Sequence, residues 1–271
     1  MNYLQIQPIE PLRKYIRYFW VLENDSCYRS QKSFKIIPDG LPGLIFQDNP
    51  KAFCDQDDQE LPQMFLYGQT TRHTVHKSDG KFRNLGIYFQ PTALKSFFGI
   101  DANELTDRHI GINDLIETDV TGLLSGNCSI GQQVELLTDF FLKRINQKNT
   151  NLEKVDFATT QIQKGYSLKN IQTDLKISER SLERYFKQYV GISPKLYARI
   201  SRFQSALAYI RNPNANLSGG KPNHLTEIAY RNDYFDQSHF IRDFNEFAGT
   251  SPKHFILQAN EQVANFPEWK G

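Results

Sequence analysis

A twelve-residue pattern occurs twice in the C-terminal half of this chain. The first copy reads Arg184-Tyr185-Phe186-Lys187-Gln188-Tyr189-Val190-Gly191-Ile192-Ser193-Pro194-Lys195. The second reads Arg242-Asp243-Phe244-Asn245-Glu246-Phe247-Ala248-Gly249-Thr250-Ser251-Pro252-Lys253. The copies lie 58 residues apart, a spacing in the range of a repeated supersecondary unit. In each copy a glycine is placed to end one helix in the left-handed conformation that a Cβ penalises. A serine then suits the N-cap of the next helix, with proline at its first position, where a missing N–H costs nothing. This half of the chain therefore reads as two related helical units.

In the first unit, about residues 166–195, Ser167 is placed to cap a helix Leu168–Leu175. Lys176-Ile177 makes a tight turn, and Ser178 caps a second helix Glu179–Tyr189 with Glu179 at its positive end. Leu182, Phe186 and Tyr189 form the stripe to be buried, so Arg180, Glu183, Arg184 and Lys187 share the opposite face. In the second unit, about residues 225–255, Thr226 reads as the cap of a helix 227–231. Asn232-Asp233-Tyr234-Phe235 reads as the turn, and Asp236 as the cap of a helix 237–247. Phe240, Phe244 and Phe247 are its buried stripe, leaving Gln237, Ser238, His239, Ile241 and Arg242 outward. A helix 195–211, ended by Asn212-Pro213, joins the units and buries Leu196, Ile200, Phe203, Leu207 and Ile210. A helix of that length spans about 25 Å, against ~34 Å between successive major grooves on one face of B-DNA. Two short helices joined by a tight turn, the second with a basic outer face, are what a major groove accepts. Arginine's planar fork can take both guanine acceptors at once.

Charge placement supports this. The net charge is only +2, but residues 164–211 hold ten Lys/Arg against three acids, whereas residues 1–150 are slightly acidic. A basic block beside an acidic one suggests a polyanion-binding module fused to something else. The second unit is the less basic: residues 224–255 hold three Lys/Arg (Arg231, Arg242 and Lys253) and five acids (Glu227, Asp233, Asp236, Asp243 and Glu246). Lys187 and Lys195 are read as flanking contacts to phosphate, and Lys253 as a further DNA-binding residue.

The 271 residues suffice for two modest domains. The polar run 146–151 is the best linker, dividing 1–150 from 151–271. The N-terminal part reads as α+β. Strand-like runs recur at 18–22, 33–37, 44–46, 65–67 and 85–89, with turn signals Pro38-Asp39-Gly40, Pro42-Gly43 and Ser78-Asp79-Gly80 between them. The last turn predicts a hairpin of 74–77 with 81–88. Pro91 opens a short helix 92–98 closed by Gly99, and a helix is expected over 131–145. Neither a signal peptide nor a membrane-length apolar run is visible. Cys27, Cys54 and Cys128 are odd in number and scattered. That fits a reducing, cytoplasmic setting and no disulfide framework.

Several stretches resemble the AraC/XylS family of bacterial transcription regulators. They are Ile177-Ser178-Glu179-Arg180-Ser181-Leu182-Glu183-Arg184-Tyr185-Phe186-Lys187, Gly191-Ile192-Ser193-Pro194, Asp236-Gln237-Ser238-His239-Phe240 and Gly249-Thr250-Ser251-Pro252. The resemblance covers roughly residues 155–257 and implies two helix-turn-helix subdomains joined by a long helix. It places Arg180, Glu183 and Arg184, then Gln237, Ser238, His239 and Arg242, against bases. The family usually has glycine in both turns; this chain has Lys176 and Asp233, and Lys176 suggests a slightly different turn. The connection 214–223 also looks longer than usual. The N-terminal half more weakly resembles the cupin-like sensor domains of some such regulators, through Tyr15-Ile16-Arg17-Tyr18-Phe19-Trp20, Pro38-Asp39-Gly40 with Leu44-Ile45-Phe46, and Gly86-Ile87-Tyr88-Phe89-Gln90-Pro91. No ligand contacts carry over from it.

The expected function is sequence-specific regulation of transcription, not enzymatic catalysis, with no cofactor or metal. The expected partners are duplex operator DNA, a small-molecule effector, RNA polymerase and a second copy of the chain; no membrane is expected. An alkyl-transferring DNA-repair enzyme would need clustered cysteines, which are absent. An architectural DNA binder without an effector is a third reading. Glu183 is open to two roles, accepting from cytosine N4 or orienting its neighbouring arginines. Ile241 is open between a thymine methyl and helix packing. His73 and His76 point to opposite faces of a strand, which argues against a metal site with Cys54. Trp20 is read as core, and Asp39 as a turn residue.

Overall fold

The structure is a computed structural model. It describes all residues except 26–31, 51, 79, 127, 146–149, 212–224, 261–267, 270 and 271. The N-terminal half comprises β1 (Asn2–Ile6), β2 (Ile16–Asn24), β3 (Lys32–Ile36), β4 (Gly43–Gln47), β5 (Phe53–Cys54), β6 (Met64–Tyr67), β7 (Thr74–Ser78), β8 (Phe82–Phe89), α1 (Ala93–Phe98), β9 (His109–Gly111), α2 (Ile112–Leu115), α3 (Val120–Leu124) and α4 (Ile130–Leu142). Short 3-10 turns cover Glu10–Leu12 and Ala102–Leu105. One antiparallel sheet runs β1-β2-β8-β4-β6-β9. Its strand β2, between β1 and β8, is apolar on both faces. Phe19 and Val21 pack with Phe89, Phe97 and Phe141 under the helices, whereas Trp20 and Leu22 pack with Phe34, Phe53 and Phe82 of the space between the sheets. That two-sided burial is why β2 reads as an almost unbroken apolar run.

The expected hairpin of 74–77 with 81–88 does not form. β7 pairs with β3 and β5, whereas β8 pairs with β2 and β4. The turn instead carries the chain from one sheet to the other. Asp79 lies outside the described residues, but Gly80 takes φ 75° and its carbonyl accepts from Asn24 Nδ2 at 2.7 Å. The helix expected over 131–145 runs Ile130–Leu142. It starts at a capping box in which Ser129 accepts from the Gln132 N–H and the Gln132 side chain accepts from the Ser129 N–H.

The C-terminal half is helical: α5 (Thr150–Gln163), α6 (Leu168–Leu175), α7 (Glu179–Tyr189), α8 (Pro194–Arg211), α9 (Leu225–Arg231), α10 (Gln237–Ala248) and α11 (Pro252–Gln258). Of the expected linker, 146–149 lies outside the described residues, and Thr150 and Asn151 open α5. The long connection 214–223 and the Asn212-Pro213 stop also fall outside them. Two short strands follow, β10 (Ala259–Asn260) and β11 (Glu268–Trp269), and β11 pairs antiparallel with β3. The end of the chain thus returns to the second sheet, whose order is β10-β11-β3-β7-β5.

The halves are packed together. Ile37 belongs to the helical core, Gly40 lies against the Tyr197 ring, and Gln204 Nε2 donates to the Pro38 carbonyl at 2.6 Å. Pro38-Asp39-Gly40 is thus both a turn, with Leu41 N–H donating to Asp39 Oδ1 at 2.9 Å, and the seat of α8.

Candidate nucleic-acid interface

Local capping builds both units. Ser167, Ser178 and Asp236 each accept from a backbone N–H in the first turn of α6, α7 and α10. Ser193 and Ser251 do the same after the two glycines, ahead of Pro194 and Pro252. Lys176 (φ 51°) and Asp233 (φ 56°) both adopt the left-handed turn conformation that glycine usually supplies. Lys176 therefore does not mark a different turn; it holds the same one at a cost of about 1–2 kcal/mol for carrying a Cβ there.

Leu182, Phe186 and Tyr189 on α7 are buried, as are Phe240, Phe244 and Phe247 on α10. This fixes which faces remain outside. Arg180, Arg184 and Lys187 are exposed and Glu183 is half-buried. The Arg184 guanidinium sits 5.0 Å from the centre of the Tyr185 ring. Lys195 and Lys253 are exposed next to the first prolines of α8 and α11. On α10, Ser238 and Arg242 are exposed, whereas Gln237, His239 and Ile241 are half-buried. Gln237 Oε1 accepts from Thr226 Oγ1 at 2.6 Å, and His239 stands edge-on to Tyr234. Thr226 is thus not a cap: it lies within the first turn of α9 and joins the two helices of its unit. α8 is buried on a wider arc than the single expected stripe, because Tyr197, Ala206 and Tyr209 are buried along with Ile200, Phe203 and Leu207.

Charge counting missed one construction. Asp243 is buried and accepts from Arg199 Nη2 at 2.7 Å, and Arg199 also holds Glu246 at 2.6 Å. Burial opposes the Arg199 charge, but its bonds to Glu246 and Asp243 outweigh it and raise the pKa. Glu227 pairs with Arg231 at 2.6 Å. Arg199, from α8, therefore offsets one of the two excess acids of the second unit, so its surface is less acidic than its sequence. No spacing signal in the sequence marks the Arg199–Asp243 pair, which forms only when α8 and α10 meet.

In the N-terminal half a cavity of about 430 Å³ is lined by Trp20, Phe65, Tyr67, Tyr88, His76 and His109, with Arg72, His73 and Arg108 among its further walls. Burial lowers the His76 pKa to about 4, His109 adds to the shift, and Asp55 opposes it. Burial also lowers the pKa of His73 and of His109. Trp20, read as core, is buried and also a wall of this cavity. Among the described residues, no three His, Cys, Asp or Glu side chains are grouped to hold a metal ion.

Two helix pairs, each a helix, a left-handed turn and a capped second helix with an outward face, define a double helix-turn-helix protein. Residues 172–258 match a helix-turn-helix domain family, and residues 4–111 match a domain of unknown function, DUF6597. The C-terminal half of the chain is thus similar to helix-turn-helix domains and to transcriptional activators. The XylDLEGF operon transcriptional activator of Pseudomonas putida is 26% identical over 117 residues, 43% of this chain and 35% of that protein. XylDLEGF operon transcriptional activator 3 of the same organism is 24% identical over 183 residues, 68% of this chain and 48% of its own length. The matched region thus spans between about a third and a half of these curated relatives. Among solved structures, ToxT from Vibrio cholerae aligns over 88% of this chain and 98% of its own at 13% identity and a TM-score of 0.45.

Proposed function

We propose that this chain is a sequence-specific, DNA-binding transcription regulator that inserts α7 and α10 into successive major grooves. One observation carries the reading. The caps and buried stripe of α7 leave Arg180, Arg184 and Lys187 outward, with no carboxylate in ion-pair distance among the described residues. Long cations kept unpaired on one fixed helix face suit a polyanion. Arg180, Glu183 and Arg184, then Gln237, Ser238, His239 and Arg242, are the proposed base-facing residues, with Lys187, Lys195 and Lys253 on phosphates. Residues 151–271 form the proposed DNA-binding domain and residues 1–150 a sensing or dimerising domain. The relatives' names, operon transcriptional activators, support the class. No helix among the described residues is long and apolar enough to cross a membrane; a cytoplasmic setting is proposed because it is where the proposed DNA partner lies. RNA polymerase and a second copy of the chain are further proposed partners. The aromatic cavity supports a small-molecule effector, for which a thermal-shift screen with metabolites is the direct check.

The test of the function is selection of duplexes from a randomised pool by the purified full chain at about 0.15 M salt. Enrichment of a motif with two half-sites about one helical turn apart is expected. A pool that stays random would overturn the reading.

A further inference from the structure

Both helices assigned to DNA end at a left-handed glycine, and the N-terminal half rests on both glycines. Gly191 (φ 99°) follows α7. A Cβ there would sit 2.9 Å from the Ala102 carbonyl oxygen and 2.9 Å from Thr106 Oγ1, and Thr106 Oγ1 donates to the Gly191 carbonyl at 2.7 Å. Gly249 (φ 65°) ends α10, and a Cβ there would overlap the His73 ring. The absence of a side chain thus does two things at each position: it permits the helix to end, and it leaves a flat seat for the other half of the chain.

The two segments that occupy these seats are bonded to each other. Thr71 N–H and Oγ1 donate to the two Asp107 carboxylate oxygens at 2.7 and 2.6 Å, and Asp107 N–H donates to the Gln69 carbonyl at 2.9 Å. Gln69 Nε2 donates in turn to the Gly40 carbonyl at 2.8 Å, beside the Gly40–Tyr197 contact on α8. One bonded assembly therefore touches the end of α7, the first turn of the joining helix and the end of α10. Thr70, Arg72, His73, Asp107, Arg108 and His109 also line the 430 Å³ cavity.

We propose that segments 69–73 and 106–108 form a brace that sets the distance between the two recognition helices, with Thr71, Thr106 and Asp107 as positioning residues. The proposal rests on the DNA-binding reading. A rigid link between two binding modules gives a sharp optimum of site separation, and a loosened link gives a broad one. The brace is also a wall of the cavity, so a ligand there would bear on both helices at once.

The experiment is binding of the full chain to duplexes carrying its two selected half-sites at the native spacing and at spacings longer or shorter by two base pairs. The wild type is expected to lose on the order of tenfold affinity off the native spacing. The Thr71→Ala/Thr106→Val variant is expected to flatten that dependence to less than about threefold, and Thr71→Ala with Thr106→Ser is expected to restore most of it. A spacing profile unchanged in Thr71→Ala/Thr106→Val overturns the brace. So does an equal loss of affinity at every spacing with a lowered Tm, which is what a merely structural role would produce. If the wild type binds no selected site at all, the DNA reading itself fails, and the brace with it.

Discussion

The Arg184 guanidinium lies beside the Tyr185 ring on the open face of α7, and Lys187 lies one turn further along. The two cations are assigned different work. Arg184→Ala is expected to cost about 1–3 kcal/mol on the selected site and to relax its sequence preference. Lys187→Ala is expected to weaken selected and random DNA alike and lower the salt slope by about one. Titrations of both variants on both duplexes at several salt concentrations measure this; an unchanged ratio of selected to random binding in Arg184→Ala would contradict the base contact. At the turn, Lys176 carries a Cβ at φ 51°. Lys176→Gly is expected to stabilise the chain by about 0.5–1 kcal/mol, the relieved strain less the added freedom of the unfolded glycine. Denaturant midpoints would show it, and a destabilised variant would mean the lysine makes a compensating contact. Caps such as Ser167, Ser178 and Asp236 were legible because capping needs only three neighbouring residues. Thr226 was misread because its hydroxyl answers to Gln237, a partner on the next helix.

At the scale of elements, α6, α7 and α10 were readable from apolar spacing bounded by caps, and β2 from its apolar run. The pairing of β7 and β8 was not. A turn signal says that the chain bends, while the longer ladders that each strand makes with β3 and β2 decide which sheet it enters. Charge behaved similarly. The sequence counts Asp243 and Glu246 as acidic surface, yet Arg199 binds both and fastens α8 to α10. Arg199→Ala leaves the buried Asp243 carboxylate without its cation and is expected to destabilise the chain by about 3 kcal/mol. Chemical unfolding checks this, with Arg199→Ala/Asp243→Asn as the control that should recover part of the loss. An unaffected Arg199→Ala would show that the pair does not hold the two helices together.

The whole molecule is a two-sheet N-terminal half docked on both helix-turn-helix units, with the last strand β11 returned to β3. None of that docking was visible in the sequence, because His73, Thr106 and Gly40 meet Gly249, Gly191 and Tyr197 only once the halves have folded. The division into a basic helical part and a slightly acidic β-rich part was visible, since each has its own period and charge. The cavity gives the molecule a pH dependence. Its His76 has a pKa lowered from 6.5 to about 4, so the unfolded chain binds that proton first as pH falls. Stability from the neutral imidazole is present above about pH 6.5 and is lost between there and about 4, by at most about 3 kcal/mol, less for a side chain at an open cavity. Thermal unfolding across pH 4–7 should show the fall, and His76→Gln should flatten it; an equal slope in His76→Gln would assign the protons elsewhere. On the proposed function two helices enter DNA, and the first, flanked by Lys195 and by cations with no acidic partner among the described residues, provides the main anchor. The most direct measurement is footprinting, at one fixed salt concentration, of Arg180→Ala/Arg184→Ala and Gln237→Ala/Arg242→Ala on the selected site. The first variant is expected to lose protection everywhere, and the second to keep weaker protection shortened by about one major-groove turn. Equal loss over both half-sites in the two variants would contradict the anchoring role of α7, and full protection in both would contradict entry of either helix.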